Sequence, residues 1–101
     1  MVKLVAFYKQ PENKEAFDEH YFNVHVPITE KIPGLKKMKV TKGTGSPMGG
    51  EAKYYLICEM YYDNIEALQA GMKSPEGKAS GKDVMSFAGN IVSFMVGEDH
   101  E

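Results

Sequence analysis

The side chains in this sequence best suited to moving protons are His25 and Glu59. Imidazole titrates near neutral pH, so His25 is a candidate general acid or base. Glu59 interrupts an apolar stretch, where desolvation would raise the pKa of its carboxyl group unless it is paired. Tyr61 follows on the same face of the predicted strand and would add a hydroxyl group. We therefore predict His25, Glu59 and Tyr61 as catalytic residues.

Both leading candidates also have a structural interpretation. His25 would hydrogen-bond to backbone carbonyl groups that Pro27 leaves without a donor. Glu59 would form a salt bridge with Lys3 or Lys9 on a neighbouring strand, or lie exposed at the rim of the sheet. The sequence leaves both interpretations open.

His20, His100 and Cys58 are weaker candidates. His20 lies five residues before His25 and is predicted on the opposite flank of the helix, whereas paired metal ligands on one helical face are four residues apart. His100 is in a polar tail. Cys58 is the single cysteine and is predicted to be an inert buried thiol. We predict no metal site and no cofactor.

An aromatic surface is the second chemical feature of the chain. It is predicted on a strand from Tyr54 to Tyr62, whose apolar face would pack under helices and whose other face carries aromatic residues and Glu59. The apolar face comprises Leu56, Cys58 and Met60, and the other face comprises Tyr55, Ile57, Glu59 and Tyr61. The predicted ligand-binding residues are Tyr8, Tyr21, Phe22, Tyr55 and Ile57. Packing in a core or an interface is the alternative role for these side chains.

The predicted elements alternate between strands and helices. Val2–Lys9 is apolar on both faces, which is typical of a central strand. A helix capped by Asn13 follows, with its apolar stripe at Phe17, Tyr21, Val24 and Ile28, and Pro27 is predicted to kink or end it near Val26. A lysine-rich edge strand is predicted at Leu35–Thr44, followed by a loop at Gly43–Gly50. The next helix would start at a capping box formed by Asp63 and Glu66. Short helical turns are predicted at Glu76–Ala88, after a helix start at Ser74–Pro75, and a last strand at Asn90–Val96.

This order, β-α-β-β-α-β, predicts an α+β fold of the ferredoxin-like type. It has a four-stranded antiparallel sheet, with the first and third strands in the middle and both helices on one face. We expect one domain over residues 1–101. The uncovered sheet face would expose apolar side chains, which predicts a homodimer that packs two sheets face to face into a barrel.

Composition excludes other classes of protein. The formal net charge is −2, with lysines and acidic residues interleaved, so no basic stripe for nucleic acid is present. The longest apolar run is too short to cross a membrane. The first residues are typical of a strand rather than a signal peptide. We expect a cytoplasmic protein without nucleic-acid or membrane partners.

Three segments carry a resemblance to a known family. They read FDEHYFNVHVPITEKIPGL, KLVAFYKQP and SPEGKASGKDVMSFAG. In these segments the chain resembles the EthD-like proteins, named for a role in ethyl tert-butyl ether degradation, and His25 is the histidine of their H-x-P motif. The resemblance implies a dimeric α+β barrel. That superfamily also includes cofactor-independent monooxygenases, polyketide cyclases, decarboxylases and lactone isomerases.

Two classes of function fit these observations. The first is a small cofactor-independent enzyme that acts on a hydrophobic or aromatic compound by proton transfer or oxygenation in a catabolic pathway. The second is a non-catalytic ligand-binding or accessory protein of an oxidative degradation pathway. In the enzyme, the ligand would lie inside the barrel. An open barrel cavity with converging polar groups would favour the enzyme, and a packed barrel would favour the accessory role. Haem binding is a third hypothesis, with His25 as the axial ligand.

Overall fold

The computed structural model describes residues 1–100 and has the predicted β-α-β-β-α-β order. Its elements are β1 Val2–Tyr8, α1 Lys14–His20, a π-helical turn Tyr21–His25, α2 Val26–Thr29, β2 Lys37–Lys42, β3 Leu56–Tyr62, α3 Ile65–Lys73, α4 Pro75–Ala88 and β4 Val92–Glu98. β2 and β3 are therefore shorter than the predicted strands. No helix within residues 1–100 is long and apolar enough to cross a membrane.

The four strands form one antiparallel sheet in the order β2-β3-β1-β4. β1 and β3 are the central strands, and the lysine-rich β2 is an edge strand, as predicted. In the register of the sheet, Ala6 of β1 lies between Cys58 of β3 and Phe94 of β4. The predicted ferredoxin-like α+β fold is confirmed.

The core lies between the helices and one face of the sheet. Leu56, Cys58 and Met60 are buried on that face, which confirms the predicted packing of β3 under the helices. The helices contribute buried apolar residues that include Phe17, Tyr21, Leu68, Val84 and Ala88. Removal of this apolar surface from water is the main stabilising term of such a fold. We call the opposite side the open face; its central residues are Lys3, Val5 and Phe7 of β1 and Ile57, Glu59 and Tyr61 of β3.

Three helices begin at side-chain caps. Asn13 accepts a hydrogen bond from the backbone N–H three residues further on, which confirms its predicted role. Ser74 does the same at the start of α4. The cap of α3 is Asn64, so the predicted capping box of Asp63 and Glu66 is wrong.

The sequence predicted that the first helix would kink or end near Val26, and the structure shows that it does not end there. It continues through Pro27 to Thr29, after a π-helical turn at Tyr21–His25. In that turn the N–H group of Val26 donates to the carbonyl oxygen of Tyr21, five residues back. Because Pro27 has no N–H group to donate, a wider turn just before it lets the helix axis continue without a regular bonding pattern.

The prediction of short turns over Glu76–Ala88 is also wrong, because α4 is one continuous helix. Gly77 is required there by packing, since a Cβ atom at this position would lie 2.0 Å from the carbonyl oxygen of Gly71 in α3. A Cβ atom at Gly81 would meet no atom within 4 Å. The two glycines therefore have different roles in the same helix.

Tyr55 does not lie on the open face, in contrast to the prediction. It precedes the first residue of β3, so strict strand alternation does not fix its direction. Its hydroxyl group donates to Asp18 at 2.8 Å, and its ring packs edge-on against Phe17 at a centroid distance of 5.5 Å. Tyr55 therefore joins β3 to α1 on the helical side.

Candidate functional site

A cavity of about 250 Å³ lies between the helices and the sheet. Most of its wall is apolar, and the polar side chains on it are neutral. The lining residues are Leu4, Ala6, Tyr8, His25, Thr29, Ile32, Cys58, Met60, Met72, Gly77, Ser80, Gly81, Val84 and Phe94. Gly81 and Phe94 are exposed to solvent as well as lining the cavity, so they mark its opening.

Four polar residues form a hydrogen-bonded chain at one wall of this cavity. Nδ1 of His25 lies 2.9 Å from a carboxylate oxygen of Asp83, and Nε2 lies 3.3 Å from Oγ1 of Thr29. Oγ1 of Thr29 lies 2.7 Å from Oγ of Ser80. His25 is only 6% exposed, and Thr29 and Ser80 are also buried. We call Asp83, His25, Thr29 and Ser80 the polar chain.

The surroundings of His25 determine its protonation state. Burial lowers the pKa of His25 below its ordinary value, although the hydrogen bond that His25 donates to Asp83 acts in the opposite direction. His25 is therefore neutral near pH 7 and carries a single ring hydrogen. An ionised carboxylate accepts hydrogen bonds only, so Asp83 fixes that hydrogen on Nδ1 and leaves Nε2 as the acceptor. A neutral imidazole whose Nε2 is an acceptor can take up a proton as a general base.

The π-helical turn explains why two histidines reach the same carboxylate. His20 and His25 would differ in direction by about 140° in a regular α-helix. The turn bonds residues five apart, and Nε2 of His20 lies 2.9 Å from the second oxygen of Asp83. The prediction that His20 lies on the opposite flank of the helix is therefore wrong. His20 is the more exposed of the two histidines.

Aromatic rings surround the imidazole ring of His25. The ring centroids of Tyr21 and Phe87 lie 5.6 Å and 5.3 Å from that of His25. Tyr8 packs edge-on against Tyr21 at 5.5 Å. Burial raises the pKa of both tyrosines, so their hydroxyl groups stay protonated. Burial also raises the pKa of Cys58 to about 11, as expected for an unreactive buried thiol.

Glu59 and Tyr61 lie on the open face, on the other side of the sheet from His25. Glu59 forms an ion pair with Lys3 at 2.5 Å, and the hydroxyl group of Tyr61 lies 3.4 Å from the same carboxylate. The hydrogen bond from Lys3 lowers the pKa of Glu59. The sequence argument for Glu59 as an acid or base required a raised pKa. The three predicted catalytic residues therefore do not share one site.

The predicted ligand-binding residues also divide between the two sides. Tyr8 lines the cavity. Tyr21 packs beside His25 but does not line the cavity. Phe22 is 41% exposed on the helix surface. Ile57 is on the open face.

Asp83, Ser80 and Thr29 were not among the residues predicted from the sequence. A signal for them was present, because Thr29 is four residues after His25, and Ser80 and Asp83 are three residues apart. Both spacings place side chains on one helical face. The second spacing carries this meaning only if α4 is continuous, which the sequence did not predict.

The polar chain also bears on metal and haem binding. Within residues 1–100, no group of three or more His, Cys, Asp or Glu side chains is placed to hold a metal ion. Both ring nitrogens of His25 have hydrogen-bond partners, so ligation of a haem iron would break one of these bonds. The bond lost would be the 3.3 Å contact of Nε2 with Thr29, whereas a carboxylate such as Asp83 on the other ring nitrogen is usual for a metal-bound histidine.

Comparisons with known proteins agree with the fold and identify relatives. A family profile described as the EthD domain matches residues 9–90. An uncharacterized 11.0 kDa protein of Rhodococcus erythropolis, from the thcB–thcC intergenic region, is 30% identical over 94% of this chain and 91% of its own length. A crystal structure of an EthD family protein from Bacillus halodurans is 64% identical, covers 99% of both chains and superposes with a TM-score of 0.96.

Two more distant solved structures share the fold alone. A dimeric ferredoxin-like protein of unknown function from Thermobifida fusca is 13% identical, with a TM-score of 0.72 over 97% of this chain and 90% of its own. SnoaB of Streptomyces nogalater, a cofactor-independent oxygenase, is 8% identical, with a TM-score of 0.70 over 99% of this chain and 93% of its own.

Proposed function

The chain belongs to the EthD family, and we propose that it is a cofactor-independent enzyme that removes a proton from a small hydrophobic compound. The reaction would take place in the cavity between the helices and the sheet, in a catabolic pathway. His25 would act as the general base, and Asp83 would be its positioning residue.

One observation carries this proposal: a buried, neutral His25 is held by Asp83 at the polar wall of an otherwise apolar cavity. The carboxylate fixes the tautomer and stabilises the imidazolium ion that forms when His25 accepts a proton. The apolar wall would exclude water and favour a hydrophobic substrate. These features support an enzyme over the accessory role. The cavity lies between the helices and the sheet of one chain, not in the barrel interior where the ligand was predicted.

Activity of matched variants tests this proposal. Wild-type protein in D₂O would be given a mixture of small hydrophobic compounds, and mass spectrometry would detect consumption of a compound or exchange of its carbon-bound hydrogen for deuterium, because O–H hydrogens exchange without an enzyme. We expect His25→Gln to reduce the rate by about 10²- to 10⁴-fold, the usual contribution of a general base. Glu59→Gln is the matched control, because this carboxylate lies across the sheet from the cavity, and it should keep the wild-type rate.

Two results would contradict the proposal. One is a His25→Gln variant with the wild-type rate on a compound that the protein turns over. The other is a Glu59→Gln variant that loses as much activity as His25→Gln. Asp83→Asn should shift the pH–rate profile, since its amide can still accept the Nδ1–H bond but carries no charge. Loss of packing alone would lower the rate equally at every pH.

We also propose that the protein is a homodimer. The edge strand β4 exposes three consecutive apolar residues, with Phe94, Met95 and Val96 each about half exposed at 48%, 49% and 51%. Such an edge is unusual on a monomer and is normally covered. Met95 shares the open face with Phe7 and Ile57, so a second copy packed on this face would cover these three residues. Phe94 and Val96 alternate to the helical side, where Phe94 lies at the mouth of the cavity.

The mass in solution tests this assembly. Analytical ultracentrifugation at micromolar concentration should give twice the chain mass of 11.3 kDa. Ile57→Asp should give the monomer mass, whereas Met48→Asp, in the exposed loop before β3, should leave the dimer intact. A wild-type monomer would overturn the assembly.

A cytoplasmic location completes the proposal, because the one cysteine is free and buried.

A further inference from the structure

The polar chain has a direction, which can be followed from Asp83 to Ser80. Nδ1–H of His25 donates to Asp83, so Nε2 accepts the hydrogen of the Thr29 hydroxyl group. A hydroxyl group has one hydrogen, and that of Thr29 is then used. The 2.7 Å bond between Thr29 and Ser80 must therefore be donated by Ser80.

The opposite direction of hydrogen bonding would place two hydrogen-bond acceptors against each other. Thr29 could donate to Ser80 only if Nε2 of His25 carried the hydrogen. A neutral ring would then present its bare Nδ1 to the Asp83 carboxylate at 2.9 Å, with acceptor facing acceptor. A doubly protonated ring would avoid this contact, but burial disfavours the charged form. Ser80 therefore ends the chain with oxygen lone pairs and no spare hydrogen.

The cavity beside Ser80 restricts the size and the charge of a ligand. Its volume is about 250 Å³, and an engineered apolar cavity of about 150 Å³ in another protein is known to hold benzene. One substituted aromatic ring therefore fits. No lining residue within the described residues 1–100 carries a charge while His25 is neutral, so a charged ligand would lose its hydration without compensation.

We propose that the cavity binds a neutral single-ring phenol whose hydroxyl group donates to Oγ of Ser80. The apolar wall would hold the ring, and the acceptor on Ser80 would select a hydrogen-bond donor. This inference deepens the proposed function and rests on it for the fate of the proton.

The proton transfer is balanced along the chain. The O–H bond of the phenol breaks, and its proton goes to Oγ of Ser80. The former hydroxyl proton of Ser80 goes to Oγ1 of Thr29, and that of Thr29 goes to Nε2 of His25. Both hydroxyl groups are regenerated with their directions reversed, so the phenolate accepts a hydrogen bond from Ser80 and the imidazolium ion of His25 is paired with Asp83. Ser80 is therefore a catalytic residue, because it touches the substrate.

Three probes with the same methyl-substituted ring separate these requirements. p-Cresol donates a hydrogen bond, 4-methylanisole only accepts one, and 4-methylbenzoate is an anion. Isothermal titration calorimetry at pH 7.5 should show p-cresol binding about tenfold more tightly than 4-methylanisole, the usual value of one well-placed hydrogen bond. 4-Methylbenzoate should bind more weakly than either. Equal affinities of p-cresol and 4-methylanisole would overturn the inference.

Two variants locate the preference on the polar chain. Ser80→Ala should reduce the tenfold preference to less than about twofold, whereas Ser86→Ala, on the exposed face of the same helix, should retain it. Thr29→Val frees the hydrogen of Ser80 to point into the cavity, so 4-methylanisole should gain affinity, while p-cresol, whose hydroxyl group can both donate and accept, should keep its affinity. A packing role for Thr29 would weaken both probes together. Each variant is informative if the other fails to fold.

This inference and the proposed enzyme can fail separately. Binding of p-cresol through Ser80 without turnover of any phenol would support the binding site and overturn the enzyme. Turnover that depends on His25, by a protein that does not prefer p-cresol to 4-methylanisole, would support the enzyme and overturn the phenol site.

Discussion

The two glycines of α4 allow one substitution to be made at two positions with opposite expected results. Gly81 lies within the helix, and a Cβ atom there would meet no atom within 4 Å. Gly81→Ala should therefore gain the helix propensity of alanine, about 1 kcal/mol, without steric cost. For a domain of this size that gain raises Tm by about 4–8 °C.

Gly77→Ala should have the opposite effect. Its Cβ atom would lie 2.0 Å from the carbonyl oxygen of Gly71, whereas unstrained contacts of this kind are about 3.5–4.0 Å long. α3 and α4 would have to separate, and overpacking of this kind typically costs about 1–3 kcal/mol. The helix-propensity gain offsets only part of that cost.

Urea denaturation of the wild-type protein and both variants measures these effects. Protein concentration must be equal in all three samples, because assembly changes apparent stability. With unchanged slopes, the midpoint should rise for Gly81→Ala and fall for Gly77→Ala. Equal shifts in the same direction would refute the assigned packing of α4. A fall for Gly81→Ala alone would mean that this position is not the open mouth of the cavity.

Two further predictions concern protonation and capping. Burial lowers the pKa of His25 in the folded state. As the pH falls, the unfolded chain therefore takes up a proton on this histidine before the folded chain does. The free energy of unfolding should fall as the pH drops below about 6.5, the ordinary histidine value. Urea midpoints at pH 7.5 and 5 should show this loss of stability. The loss should be smaller in His25→Gln than in the wild-type protein, and equal to that of the wild-type protein in His100→Gln. Asn64→Ala should cost about 1 kcal/mol of unfolding free energy, measured in the same way, because this side chain caps α3. Asp63→Ala should cost clearly less, and the reverse order would favour the capping box instead.

Strand order and helix placement could be predicted from the sequence because apolar periodicity reports burial directly. Leu56, Cys58 and Met60 alternate along a strand, and their burial against the helices followed from that spacing. Asn13 was recognisable as a cap because its position before an apolar stripe is a local signal.

The candidate site could be predicted only in part, because its assembly depends on departures from regular structure. The π-helical turn rotates His20 toward Asp83, and regular helical spacing placed it on the other flank. The packing of Gly77 against α3 keeps α4 continuous, although glycine content alone indicates a broken helix. Glu59 is different: a salt bridge with Lys3 was one of its two predicted roles, because both residues lie on strands predicted to be neighbours, and the structure shows this ion pair.

The central claim is that His25 is a neutral base whose Nδ1 hydrogen is held by Asp83. Long-range ¹H–¹⁵N NMR of the histidine rings measures this directly, with the His25 signals assigned by their loss in His25→Gln. At pH 7.5 the spectrum should show Nδ1 protonated and Nε2 bare. A doubly protonated ring, or a ring with its hydrogen on Nε2, would contradict the account.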